Sequence, residues 1–219
     1  MKNKLKLTFA ALLAILLWFG IVLQFYISVP DYLEKGRTLG GAIVQLLSYF
    51  TIQTNFLLAL LLTLLVLKPL SKWGRFFAAP HVIGAMAAYI TIVGLVYHFM
   101  LRDQFHPVAL FKVTSDIFHI ISPIAFIIFW LFLIDKTLIK WINTLLWLVY
   151  PLIYTIYILI RGALTGYYPY NFLDVTELGY ARVMTNCGFL LVGFIILNAL
   201  YILISRIAAS QQSRRQIKP

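Results

Sequence analysis

The stretch Ser48–Asn55, SYFTIQTN, lies inside an apolar run over residues 40–67 that is long enough to cross a bilayer as a helix. At about 100° per residue, its polar side chains fall on one half of that helix and its bulky apolar side chains lean elsewhere. The polar set comprises Ser48, Thr51, Thr54 and Asn55. Polar groups at that depth are expected to face protein or a cavity rather than lipid.

The composition around this stretch is that of a membrane protein. Hydrophobic residues make up 62% of the 219 residues and charged residues only 11%, whereas soluble domains are about half apolar and a quarter charged. A net charge of +11 would suggest nucleic-acid binding in a soluble chain. Here the cations gather between apolar runs, which indicates membrane topology and no nucleic-acid partner. The single cysteine, Cys187, excludes an internal disulfide.

Six apolar segments predict an all-α, polytopic fold with six transmembrane helices in one domain over residues 1–219. The predicted spans cover residues 7–28, 40–67, 76–101, 114–134, 139–160 and 183–204, and a lid-like outer loop covers residues 162–182. Placing both termini in the cytoplasm leaves only six of the eighteen cations outside. Those six are Lys35, Arg37, Arg102, Lys112, Arg161 and Arg182.

The fourth span contains SDIFHIISP, in which His119 is the one histidine of the last three apolar segments. An ionisable side chain inside a span indicates function by default. Thr114, Ser115 and Asp116 are residue types that favour a helix N-cap, so the span is expected to begin there. Pro123 is expected to kink the helix and to free the carbonyl of His119.

Thr51 and His119 together supply a nucleophile and a base. A threonine hydroxyl attacks an ester only when a neighbouring group accepts its proton, and neutral imidazole is the usual acceptor near pH 7. Asp116, one turn before His119, is a candidate for orienting the ring. Ser48 and Thr54 are rival nucleophiles, and Asn55 is a candidate donor to a developing oxyanion.

Other interpretations of the same residues stay open at this point. Membrane Ser, Thr and Asn side chains often bond to their own backbone or to a neighbouring helix, and Asp116 suits an N-cap. A non-catalytic lipid or small-molecule carrier, or a transporter, would use the polar stripe as a binding site. His98 and His119 on consecutive spans could hold a haem. There is no HxxxH or HExxH pattern, and the hydrolase interpretation needs neither cofactor nor metal.

Three stretches in this order resemble the androgen-induced and androgen-dependent TFPI-regulating proteins and their bacterial six-span relatives. They are SYFTIQTN, SDIFHIISP and WLVYPLIYTIYILIRGALTGYYPYNFLD. The resemblance covers nearly the whole chain. It implies an intramembrane threonine hydrolase that cleaves fatty acid esters of hydroxy fatty acids, in a bacterial inner membrane.

The resemblance also implies roles for particular residues. The family's threonine resembles Thr51, and its histidine resembles His119. The family's Tyr-Pro-Phe-acid motif after the fifth span resembles Tyr168, Pro169, Tyr170, Phe172 and Asp174. Tyr170 and Asn171 make the pattern longer here than in the family.

Overall fold

The computed structural model describes residues 2–104, 106–134, 136 and 139–217, with side chains described between residues 3 and 210. Residues 1, 105, 135, 137–138 and 218–219 of the predicted domain lie outside these ranges. Within them the chain forms helices and no strand. Six helices are long and apolar enough to cross a membrane: Asn3–Glu34, Phe50–Leu67, Pro80–Leu101, Ala109–Leu133, Asn143–Thr165 and Val175–Ser210. The predicted fold class is therefore confirmed, and the protein is an all-α, multi-pass membrane protein.

The chain divides into two compact units, Met1–Asp135 and Lys136–Pro219. The first unit contains the helices that carry Thr51 and His119. Its α-helices are α1 (Lys2–Glu34), α2 (Leu39–Leu47), α3 (Phe50–Leu67), α4 (Lys72–Phe77), α5 (Pro80–Val96), α6 (Ala109–Asp116) and α7 (Ser122–Leu133). A first π-helical turn, Tyr97–Leu101, continues α5, and a second, Ile117–Ile121, joins α6 to α7.

The second predicted span is not one unbroken helix, which corrects the prediction over residues 40–67. Helix α2 ends at Leu47, and α3 begins at Phe50 after Tyr49, whose backbone is extended (φ −81°, ψ 127°). Side chains satisfy the carbonyls that the break exposes. Ser48 Oγ donates to the Val44 carbonyl at 2.7 Å, and Gln53 Nε2 donates to the Leu47 carbonyl. The polar stripe therefore starts at a helix break rather than inside a helix.

The fourth span also begins earlier than predicted. Helix α6 starts at Ala109, so the predicted N-cap residues Thr114, Ser115 and Asp116 lie inside the helix. The kink expected from Pro123 takes the form of the second π-helical turn, which ends two residues before the proline. A proline removes one N–H and crowds the carbonyl four residues earlier, and the wider π turn relieves that crowding around His119.

Helix α1 packs along α3 in the first unit. The indole N–H of Trp18 donates to Thr63 Oγ1 at 3.0 Å, and the Trp18 ring meets Phe56 edge-on with ring centroids 5.4 Å apart. Around these contacts the interior is apolar, with Leu58 and Leu62 of α3 fully buried. This packing fixes the helix that carries Thr51.

The second unit consists of α8 (Asn143–Leu146), α9 (Val149–Thr165), a 3₁₀ turn (Asn171–Leu173) and α10 (Val175–Ile217). The predicted loop over residues 162–182 is shorter than expected. Helix α9 continues through Thr165, and α10 begins at Val175. The backbone of α10 leaves helical geometry at Gly179 (φ 71°, ψ 158°) and is helical again after it.

This connection is held by its own side chains. Arg161 donates to the Tyr167 carbonyl at 3.3 Å, and its guanidinium lies 4.9 Å from the centre of the Tyr167 ring. The buried Tyr168 ring lies against the backbone of Gly162, where a Cβ would come within 1.9 Å of a ring carbon. Only glycine leaves room for the ring at that position.

Gly162→Ala is expected to destabilise the protein by roughly 1–3 kcal/mol, because the new methyl overlaps the Tyr168 ring and forces it to move. The matched control is Gly188→Ala, whose Cβ would meet nothing within 4 Å and whose helix propensity improves by about 1 kcal/mol. Melting temperatures of both variants in detergent test this. Equal melting of Gly162→Ala and wild type would contradict the packing described.

The orientation of the spans stays a prediction and is testable at two exposed lysines, Lys35 after α1 and Lys68 after α3. In a Cys187→Ala background, Lys35→Cys is expected to react with a membrane-impermeant maleimide in intact cells, because it follows the first span on the outer side. Lys68→Cys is expected to react only after permeabilisation. The reverse pattern would place both termini outside.

Candidate active site

The structure brings Thr51 and His119 into contact. Thr51 Oγ1 lies 3.5 Å from His119 Nε2, although 68 positions separate the two residues in sequence. Thr51 is the second residue of α3, and His119 is the central residue of the second π-helical turn. Both side chains are part-buried and retain some accessible surface. Nucleophile and base hydrogen bonds are often this long before substrate binds, so the pair has the geometry of a nucleophile beside its base.

Ser115 fixes the opposite edge of the imidazole. His119 Nδ1 lies 3.0 Å from the Ser115 carbonyl oxygen and 3.2 Å from Ser115 Oγ. A carbonyl oxygen only accepts hydrogen bonds, so we assign the proton to Nδ1. The lone pair of the neutral ring is then on Nε2, directed at Thr51. This is the tautomer that a general base requires.

Tyr97 covers one face of the imidazole. The two rings are stacked with centroids 4.1 Å apart and planes inclined by 13°. The Tyr97 hydroxyl accepts a hydrogen bond from Ser115 Oγ at 3.2 Å. The sequence gives no sign of this stack, because Tyr97 lies on another helix. Ser115, predicted to be an N-cap, lies four residues before His119, a spacing that places the two on one helix face.

Asp116 does not orient the imidazole in this structure. Its carboxylate pairs with Lys112 Nζ at 2.6 Å on the partly exposed side of α6. The side chains of the pair are 37% and 61% exposed. The residue predicted to hold Nδ1 is therefore replaced by its neighbour Ser115, and the Lys112 pair accounts for Asp116.

The other candidates on the second span lie near Thr51 without contacting His119. Asn55 Nδ2 donates to the Thr51 carbonyl at 2.9 Å, which ties down the first turn of α3. The Asn55 amide oxygen and the Thr54 hydroxyl are buried with no partner among the described residues. Ser48 is held by the Val44 carbonyl. Of the three candidate hydroxyls, the one at the imidazole belongs to Thr51.

The break before α3 also sets the electrostatics around Thr51. Helix α3 is 18 residues long, and Tyr49 at its N-cap position supplies no side-chain cap. The positive end of the helix dipole therefore lies at the turn that carries Thr51. Negative charge that develops beside the Thr51 hydroxyl is stabilised there, and more strongly in an environment of low dielectric than in water.

Comparison with known proteins places the chain in no family. No protein-family model, no curated protein and no solved structure matches this chain. The function of the protein is therefore inferred from the geometry of its own residues.

The remaining predicted site residues belong to the second unit and have structural contacts within it. Tyr168 is packed on Gly162, and the Tyr170 ring stacks on Phe172 with centroids 5.1 Å apart. The intervening Pro169 is part-buried in the turn between them. Asp174 accepts hydrogen bonds from the backbone N–H groups of residues 176 and 177 and thereby caps α10.

The contacts of His119 and His98 also argue against the haem interpretation. An axial histidine binds iron through a ring nitrogen, but both nitrogens of His119 have protein partners and one ring face is covered by Tyr97. His98 is exposed and lies 3.2 Å from Arg102. Within the described ranges, no three His, Cys, Asp or Glu side chains are grouped as a metal site would need.

The tautomer of His119 is directly measurable. Nitrogen-15 NMR of the detergent-solubilised protein is expected to report a proton on Nδ1 and none on Nε2, because the Ser115 carbonyl can only accept. Asp116→Asn is expected to leave that pattern unchanged, whereas a carboxylate that oriented the ring would alter it. A proton found on Nε2 would contradict the assignment of His119 as a base toward Thr51.

Proposed function

We propose that this protein is an intramembrane hydrolase of lipid esters in which Thr51 is the nucleophile and His119 the general base. The observation that carries the proposal is the contact of Thr51 Oγ1 with His119 Nε2 at 3.5 Å, combined with the Nδ1 contact to the Ser115 carbonyl. Together they direct the basic nitrogen at the hydroxyl.

In the first half of the reaction, Thr51 Oγ1 attacks the carbonyl carbon of the ester. His119 Nε2 takes the hydroxyl proton as the new C–O bond forms. The tetrahedral intermediate carries its negative oxygen beside the N-terminus of α3, where the helix dipole favours it. When the intermediate collapses, the ester C–O bond breaks and His119 returns the proton to the leaving alkoxide, which departs as an alcohol.

In the second half, water replaces the alcohol. His119, again neutral, accepts a proton from water as the water oxygen attacks the acyl-threonine carbonyl. Collapse of the second intermediate breaks the bond to Thr51 Oγ1, and His119 returns the proton to that oxygen. The products are an alcohol and a carboxylic acid, and one water is consumed.

The surroundings favour a lipid ester over a water-soluble one. Thr51 and His119 lie on helices long and apolar enough to cross a membrane. Large apolar side chains next to them are exposed, among them Phe56 on α3 and Ile120 and Ile121 on the second π-helical turn. These side chains suit contact with acyl chains. We therefore propose long-chain substrates rather than small polar esters.

The sequence resemblance adds a more specific substrate class, fatty acid esters of hydroxy fatty acids, and a bacterial inner membrane as the location. The resemblance also assigns supporting roles to Tyr168, Pro169, Tyr170 and Asp174, which lie in the connection after α9. The internal contacts of that segment make it an ordered element.

Labelling with an alkyl fluorophosphonate tests the proposal. The purified wild type is expected to lose fluoride from the probe and to carry the phosphonyl adduct on Thr51, located by peptide mass spectrometry. Thr51→Ala abolishes the adduct. His119→Gln slows labelling by about 100-fold or more, because the hydroxyl loses its base.

Thr54→Ala is the matched control, since Thr54 lies one turn further along the same helix and does not contact His119. It is expected to label at close to the wild-type rate. An adduct that persists in Thr51→Ala would assign the nucleophile to another hydroxyl. Folded wild type that takes no adduct would favour the alternative function, a carrier that binds lipid at the same polar stripe.

A further inference from the structure

The transfer of a proton from Thr51 creates a cation within a membrane-spanning helix. An imidazolium in such surroundings is costly unless an opposing charge or dipole stabilises it. In the Ser-His-Asp arrangement a buried carboxylate does this. Here the carboxylate nearest in sequence, Asp116, is paired with Lys112 at 2.6 Å. No carboxylate therefore contacts the imidazole in this structure, and the groups that do contact it are the Ser115 carbonyl and the Tyr97 ring.

The only ring stacked on His119 among the described residues is that of Tyr97. Tyr97 is 7% exposed, so water scarcely reaches it. The face of a phenol ring carries negative potential, and a cation within about 6 Å of the ring centroid is attracted to it, more strongly where both are desolvated. The centroid separation of 4.1 Å and the inclination of 13° satisfy this geometry.

Several features of the fold build this stack. Tyr97 is the first residue of one π-helical turn, and His119 is the middle residue of the other. Gly94, one turn before Tyr97, lets the two helices approach closely, since a Cβ there would lie 3.2 Å from Pro123 and 3.4 Å from the His119 carbonyl oxygen. π-Helical turns are frequent at functional sites, and here two of them meet at the same pair of rings.

Ser115 connects the two rings through hydrogen bonds. Its hydroxyl donates to the Tyr97 hydroxyl at 3.2 Å, and its carbonyl accepts a hydrogen bond from His119 Nδ1–H at 3.0 Å. This bridge holds the phenol ring in register with the imidazole. It also leaves the face of the Tyr97 ring, rather than its hydroxyl, against His119.

We propose that Tyr97 stabilises the imidazolium form of His119 through its π face and thereby takes the role that a carboxylate has in a Ser-His-Asp triad. The inference rests on the proposed hydrolase function. The stack attracts the charged ring more than the neutral ring, so it lowers the energy of the transition state relative to the resting enzyme. Tyr97 is a positioning residue, since it acts on the ester only through His119.

The test changes the electron density of the ring at position 97 without changing its shape. Phenylalanine and its mono-, di- and trifluorinated derivatives are introduced there in the full-length protein, and the rate of fluorophosphonate labelling of Thr51 is measured. Tyr97→Phe is expected to stay within about fivefold of wild type, because it loses only the hydrogen bond from Ser115. The rate is then expected to fall stepwise, by about tenfold from phenylalanine to the trifluoro derivative.

The matched control is the same series at Phe99, which lies in the same π-helical turn and is 81% exposed. Its labelling rates are expected to be constant. Melting temperatures in detergent confirm that each variant folds, and a purely structural role of the ring predicts equal rates for the nearly isosteric derivatives.

The possible outcomes separate this inference from the proposed function. A flat series at position 97, with the adduct still on Thr51, would overturn the role of Tyr97 alone. A rate that rises with fluorination would also overturn it. Folded wild-type protein that takes no adduct on Thr51 would remove both the hydrolase function and the inference that rests on it.

Discussion

Hydrocarbon offers no hydrogen bonds, so a polar side chain within a span has to find its partners inside the protein. The first unit satisfies this requirement in two ways. Some side chains return to their own helix, as Ser48 does to the Val44 carbonyl and Asn55 to the Thr51 carbonyl. Others bridge helices, as Trp18 does to Thr63. His119 has both kinds of partner, since Nδ1 contacts the Ser115 carbonyl one turn earlier and Nε2 contacts Thr51 of α3. These two contacts set the arrangement of the site.

Departures from regular α-helix concentrate at the same place. The break between α2 and α3 precedes Thr51 by two residues, one π-helical turn contains His119, and the other begins at Tyr97. Each irregularity has a local cause or a local compensation, such as Pro123 after the second π turn and the hydrogen bonds that cover the carbonyls at the break. Together they turn three side chains toward one another that regular helices would present differently.

The sequence predicted the class of fold and singled out Thr51 and His119, but it did not show that the two side chains meet. Span length and apolar composition depend on local residues alone, and a histidine within a span is conspicuous in any sequence. Spacing alone did not decide which residue holds Nδ1, because Asp116 and Ser115 lie three and four residues before His119 and both fall on its helix face. The contact of Tyr97 with His119 could not be predicted either, since the stack depends on how closely two helices approach at Gly94.

The pairing of Asp116 with Lys112 near the exposed side of α6 has a consequence for biogenesis. A carboxylate at the centre of a span costs about 2.5–3.5 kcal/mol when the translocon passes a helix into the bilayer. In the site itself the groups around Thr51 are an imidazole and a phenol. The two charged side chains of the span that carries His119, Lys112 and Asp116, lie in its first two turns and pair with each other, so the rest of that span can enter the membrane without a fixed charge.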